Sequence, residues 1–244
     1  MSSPIEIIPV LDLMGGIVVR GVAGERERYQ PNQSRWSDSP DPLKTAHGIR
    51  ERFGFRRFYI ADLDAITGNG NHNETLRQLT ESGFELLVDA GIRAPEQAEQ
   101  CFECGVREVI VGSETLPSWT VLEDLLSTYD PQCIRFSVDL KQGRPWGPLG
   151  ASLSAVDLVN EVVARNLSHL LLLDVAAVGT GSGVTTLDLC RTVRAAHPGV
   201  HLITGGGVRH DEDLTAAHSA GVDALLIASA LHDGRLSLPQ QSQP

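Results

Sequence analysis

Two aspartates stand where a pair of carboxylates could move protons. Asp12 closes the apolar run IEIIPVLDL, and Asp139 closes IRFSVDL. Two carboxylates facing one substrate divide the labour: the more buried one keeps its proton and acts as acid, while the more solvated one stays ionised and acts as base. The bland alternative is that each caps a turn or pairs with a basic neighbour such as Arg20. Glycines suggest a second chemistry. Gly205-Gly206-Gly207 ends one apolar run and Ala228-Ser229 the next, and such ends offer free backbone N–H groups to an anion. Gly91 and then Gly112-Ser113 hold the equivalent places earlier in the chain. There Asp89 would repel a dianion unless paired, for instance with Arg93. Anion sites on both sides of the aspartates would suit a long substrate charged at each end.

The elements that must position these groups alternate strictly. Apolar runs begin at Ile5, Phe55, Glu85, Arg107, Ile134, His169, Val200 and Asp223. Each is nearly continuous in Ile, Leu and Val, the sign of strands covered on both faces. Helical patterns lie between them. Asp41 and Pro42 start one that Gly54 stops; Asn73 caps another ending at Gly83; Ser154 caps a third; His210 precedes an acidic first turn. Eight strand–helix units in a chain of this size predict a single α/β domain, one closed (β/α)8 TIM barrel over residues 1–236, with a frayed polar tail at 237–244.

The halves repeat. Residues 86–116 align without a gap on 202–232, placing Gly91-Ile92-Arg93 on Gly207-Val208-Arg209 and Ser113 on Ser229. An internal half-barrel repeat is itself a pointer to an eight-strand ring. In that ring, catalytic groups project from the C-terminal strand ends, which sets Asp12 and Asp139 across one mouth.

Composition bounds the rest. The chain has 244 residues and a net charge of −11, which disfavours a nucleic-acid partner. No stretch is long and apolar enough for a membrane helix, and no signal peptide opens the sequence. A cytoplasmic setting is therefore expected. Nothing in the sequence identifies a protein partner. Cys101 and Cys104 share a helix without a second close pair at zinc-ribbon spacing, so buried thiols are expected there rather than a metal site.

In order and spacing, IIPVLDLMGGIVVRGVAG, SDSPDPLKTA, YIADLDA, AGIR, VGSETL, SVDL, GTGSG, TGGGVR and IASALHDGR resemble the paired histidine-biosynthesis barrels. These are the phosphoribosylformimino-aminoimidazole carboxamide ribotide isomerase and the cyclase subunit of imidazole glycerol phosphate synthase. The resemblance implies an Amadori rearrangement of an aminoaldose to an aminoketose, with no cofactor and no metal. Asp139 would open the sugar ring and Asp12 would take the C2 proton. Phosphates would bind near Gly91, Gly112 and Ser113 at one end and Gly206, Gly207 and Ser229 at the other, with Arg20 and Asp174 also at the substrate, a small phosphorylated sugar.

The chain also departs from that pattern. Asp89-Ala90-Gly91 replaces the isomerase's GGG, Leu173 replaces a threonine, and Ala177-Val178-Gly179-Thr180 replaces a polar loop. Three readings stay open: the histidine-pathway isomerase; a diverged relative with another phosphorylated substrate, of the kind found beside tetrahydromethanopterin-linked one-carbon genes; and a barrel that binds a ligand or partner without catalysis.

Overall fold

A computed structural model describes residues 5–150 and 152–238. Eight parallel strands close on themselves: β1 (Glu6–Met14), β2 (Arg57–Asp62), β3 (Glu85–Asp89), β4 (Glu108–Gly112), β5 (Ile134–Lys141), β6 (His169–Asp174), β7 (His201–Gly205) and β8 (Ala224–Ile227). Closure comes from β1 against β8, with Ile8 opposite Leu226. Outside the ring pack α1 (Pro42–Phe53), α2 (Asn73–Glu81), α3 (Pro95–Glu103), α4 (Trp119–Thr128), α5 (Ala155–Ala164), α6 (Leu187–Ala196), α7 (Asp211–Ser219) and the short α8 (Ser229–His232). The chain is a (β/α)8 barrel.

Local sequence explains most boundaries. The Asp41 side chain accepts the Lys44 N–H, Pro42 needs no donor at the first helical position, and Gly54 ends α1 at φ +83°. Ser154 and Asp157 form a reciprocal capping box at α5. At α2 the cap is His72 rather than Asn73. The buried Asp62 carboxylate takes the His72 backbone N–H at 2.7 Å and its ring Nδ1 at 2.7 Å, a tertiary pull that outweighs the local preference for asparagine. Of the expected tail, residues 239–244 lie outside the described residues. Ser237 still donates its N–H to Asp211 at 3.1 Å.

Strand parity decides what faces the hollow. Ile8 and Val10 on β1, Tyr59 and Ala61 on β2, and Leu87 on β3 belong to the inner core, while Leu11, Leu13, Phe58, Ile60, Leu86 and Val88 pack outward against the helices. Side chains alternate along a strand. Asp12 and Asp89 therefore share the inner face with Val10 and Leu87. At the opposite end of the barrel, Arg135 (1% exposed) meets Glu108 at 2.7 Å, and Arg57 bridges Glu108 and Glu6 at 3.0 Å each. This paired charge network closes the floor. Cys101 and Cys104 are buried free thiols on and just after α3.

Candidate active site

The C-terminal strand ends open into one cavity of about 1030 Å³, counting its mouth, lined by both Asp12 and Asp139. Each carboxylate rests against a glycine. A Cβ at Gly21 would lie 2.8 Å from Asp12 Oδ2, and one at Gly112 would lie 2.7 Å from Asp139 Oδ2. Asp139 is the more enclosed, at 5% exposure. It accepts the Ser137 hydroxyl at 2.6 Å and the Glu114 backbone N–H at 3.0 Å. Asp12 keeps part of its surface open to the cavity.

Electrostatics single out this hollow. Burial pushes the Asp12 carboxyl up to about 7, opposed by the Gly21 N–H. Burial, then the neighbouring Asp89 charge, pushes Asp139 up to about 7 against the Ser137 and Glu114 hydrogen bonds. Asp89 is held at about 6, again chiefly by burial, with the Gly91 N–H opposing. Carboxyls titrating near neutrality can both give and take protons there.

The candidate anion groups divide by half. Gly206, Gly207 and Ser229 line the cavity, beside Arg235. Among the described residues no protein acceptor takes the backbone N–H of these three. Gly206 and Gly207 sit at φ +82° and +78°, and a Cβ at Gly207 would fall 2.3 Å from the Gly183 carbonyl, so only glycine fits this close loop approach. By contrast, Gly91, Gly112 and Ser113 are not part of the cavity lining. Gly91 donates its N–H to Asp89, and fully buried Ser113 donates its N–H to the Ser137 carbonyl and its hydroxyl to the Trp146 carbonyl while that hydroxyl accepts the Asp139 backbone N–H. Arg93 does not pair with Asp89. Its guanidinium donates to the carbonyls of Gly91 at 2.7 Å and Ile66 at 2.6 Å.

Two further expected residues lie outside the lining. Arg20 forms a two-pronged pair with Asp233, 2.8 Å in each contact. Among the described residues no basic side chain pairs with Asp12. Asp174 shares the outward parity of Leu170 and Leu172. It accepts the N–H groups of Gln142, Gly143 and Ala176 at 3.1, 2.7 and 3.0 Å. Gln142 and Gly143 form the tip of the hairpin that β5 makes with Arg144–Pro145. The N-terminal half does the same with different atoms: Gly15 and Gly16, at the tip between β1 and Ile17–Arg20, donate to Asp64 and to His72 Nε2 at 2.9 Å each.

Sequence reasoning did not single out Tyr29, Tyr59, Trp146, Arg26, Glu114 and Arg235, all of which line the hollow. Tyr59 was reachable, since it shares inward parity with Ala61. Arg26 pairs with Glu114 at 3.0 Å across 88 residues, and no local pattern announces such a contact. Among the described residues, no group of three or more His, Cys, Asp or Glu could hold a metal ion, and no helix is long and apolar enough to cross a membrane.

Residues 6–237 match the family described as histidine biosynthesis protein. The chain belongs to that family. Its relatives include an uncharacterized protein of Methanocaldococcus jannaschii, 32% identical over 238 residues and covering 96% of both chains. A Thermus thermophilus relative is 30% identical over 240 residues, 96% of this chain and 97% of its own. One from Deinococcus radiodurans is 28% identical over 244 residues, 98% of this chain and 99% of its own. The last two are named 1-(5-phosphoribosyl)-5-((5-phosphoribosylamino)methylideneamino) imidazole-4-carboxamide isomerase.

Proposed function

We propose that this family member is an intramolecular acid–base isomerase of the aldose–ketose type, acting on a small phosphorylated sugar-like molecule. The observation that carries the reading is the shared placement of Asp12 and Asp139 in one hollow, each pushed to about 7 with no arginine clamp on either. A pair locked in ion pairs would sit far below neutrality and could not hold a proton.

The chemistry follows from the difference between the two. Asp139, more enclosed, holds its proton and delivers it to the ring oxygen of an aminoaldose, which breaks the ring C–O bond and leaves an iminium at C1. Asp12, more open, removes the C2 proton. Those electrons form the C1–C2 double bond of an enolamine; Asp12 returns its proton to C1 while the C2 hydroxyl gives up its own to Asp139, which yields the aminoketose and restores both carboxyls. No net oxidant is consumed. Gly206, Gly207 and Ser229 are the groups offered to a phosphate, with Arg235 beside them in an ion pair with Asp233 at 3.2 Å; their backbone N–H groups would hold the substrate while the carboxylates act.

Arg20, Asp174, Gly91, Gly112 and Ser113 act through other residues in this reading. They hold the loops and carboxylates in place and do not touch substrate.

The test is turnover of an aminoaldose phosphate by the full chain. Asp12→Asn and Asp139→Asn should each lower kcat by roughly 10²–10⁴ with the fold intact by circular dichroism. Full activity in either variant overturns the assignment, and the non-catalytic reading then takes its place.

A further inference from the structure

We propose that this barrel takes a substrate with a single phosphate, and that Asp89, supported by Glu114, is what excludes a second one. The inference rests on the acid–base reading of the same cavity and names its substrate class.

The internal repeat supplies the comparison. In the alignment of 86–116 on 202–232, Asp89 falls on Gly205, Gly91 on Gly207, Ser113 on Ser229 and Glu114 on Ala230. The two positions that carry carboxylates in the N-terminal half thus carry no charge in the other. Both Asp89 and Glu114 line the hollow.

Donors differ in the same sense. Gly207 and Ser229 keep backbone N–H groups with no protein acceptor among the described residues. Their counterparts are spent: Gly91 donates to Asp89 Oδ1 at 3.0 Å and Ser113 to the Ser137 carbonyl at 2.9 Å. The next amide, Glu114, is spent on Asp139 at 3.0 Å. A phosphate arriving here would meet two carboxylates and no free amide among these three.

Nor does a cation rescue the site. Arg93, the repeat partner of Arg209, is committed to the Gly91 and Ile66 carbonyls. Arg26 is committed to Glu114. The side-chain partner left to Asp89 is the Tyr59 hydroxyl, at 3.3 Å. Acceptors whose nearby cation, Arg26, is already paired with Glu114 suit hydrogen-bond donors. The end of the substrate opposite its phosphate therefore carries hydroxyl or protonated amine groups. The names of the two isomerase relatives contain two phosphoribosyl groups; the acidic residues of this chain point to a different far end.

Calorimetric titration of the full chain decides the matter without turnover, using ribose 5-phosphate and ribulose 1,5-bisphosphate as probes. The wild type should bind the monophosphate at one per chain and the bisphosphate no more tightly. Asp89→Asn keeps an acceptor for the Gly91 N–H and removes the charge. Combined with Glu114→Ala, which frees Arg26, it should tighten the bisphosphate by about tenfold or more and change the monophosphate by less than about twofold. A wild type that prefers the bisphosphate by about tenfold overturns the single-phosphate proposal and leaves the acid–base reading standing. A double variant with unchanged bisphosphate affinity also overturns it, and the wild-type comparison stands alone if that variant does not fold. Absence of any phosphate binding overturns both the proposal and the phosphate end of the isomerase reading.

Discussion

Gly112 makes room for Asp139: a Cβ on the glycine would sit 2.7 Å from the carboxylate Oδ2, closer than such atoms approach. Gly112 ends β4 at a φ outside the left-handed region, so a side chain there strains the carboxylate and not the backbone. Gly21 stands in the same relation to Asp12, at 2.8 Å. Gly112→Ala should therefore turn Asp139 away from its Ser137 and Glu114 partners. The expected result is a fall in kcat of about tenfold or more with Tm within a few degrees of wild type, measured by turnover and thermal melting. Unchanged kcat would mean that the position of the Asp139 carboxylate is not critical to the reaction.

The rate should follow pH as a bell centred near neutrality. Asp12 and Asp139 are both pushed to about 7, mainly by burial, and the reaction needs one of them protonated and the other ionised. kcat/KM should decline on both sides of pH 7, by roughly tenfold per pH unit at the extremes. A profile flat from pH 5 to 9 would remove this pair from the chemistry.

The barrel was legible because its signals are local. Eight apolar runs, the Asp41–Pro42 start, the Ser154 capping box and the glycines after helices each act within a few residues, and all agree with one ring. Asp12 and Asp139 were legible for the same reason, as polar residues ending apolar strands. Facing was not. Both faces of these strands are apolar, so nothing local shows that Asp139 points inward with Ser137 while Asp174 points outward with Leu172. Partner choice was equally hidden. Arg20 selects Asp233, 213 residues away, and Arg93 selects carbonyls rather than Asp89; both choices depend on loop paths set by the whole ring.

Asp89 carries a stability cost with a definite pH window. Its carboxyl is raised from the ordinary 3.8 to about 6, chiefly by burial, so the folded chain binds that proton more tightly than the unfolded chain does. The contribution of Asp89 to stability is then most favourable below about pH 4, falls as pH rises through the interval up to about 6, and stays lower above it. Asp89→Asn removes the ionisation while keeping the acceptor for Gly91. The variant should be more stable than wild type at pH 8, by on the order of 3 kcal/mol, with a correspondingly higher Tm, and the gain should vanish at pH 4. Equal melting temperatures at both values would show that Asp89 is not desolvated as its burial implies.

Asp174 distinguishes a substrate contact from a clamp. The family resemblance places it at the substrate, whereas here it ties the hairpin tip to β6 by accepting the N–H groups of Gln142 and Gly143, and it caps its own following turn through Ala176. That hairpin continues from β5, two residues beyond Asp139, and Trp146 at its base donates its N–H to the Asp139 carbonyl at 2.8 Å. Asp174→Ala strands those donors, and bonds to a charged acceptor are worth roughly 1.5–3 kcal/mol each. A clamp predicts a lower Tm and a lower kcat with KM changed by less than about twofold, because the loosened hairpin lets Asp139 drift without touching the phosphate end. A direct contact predicts the reverse: KM rises sharply and Tm holds. Steady-state kinetics beside a thermal melt of the one variant separates the two, and a KM effect alone would return Asp174 to the substrate.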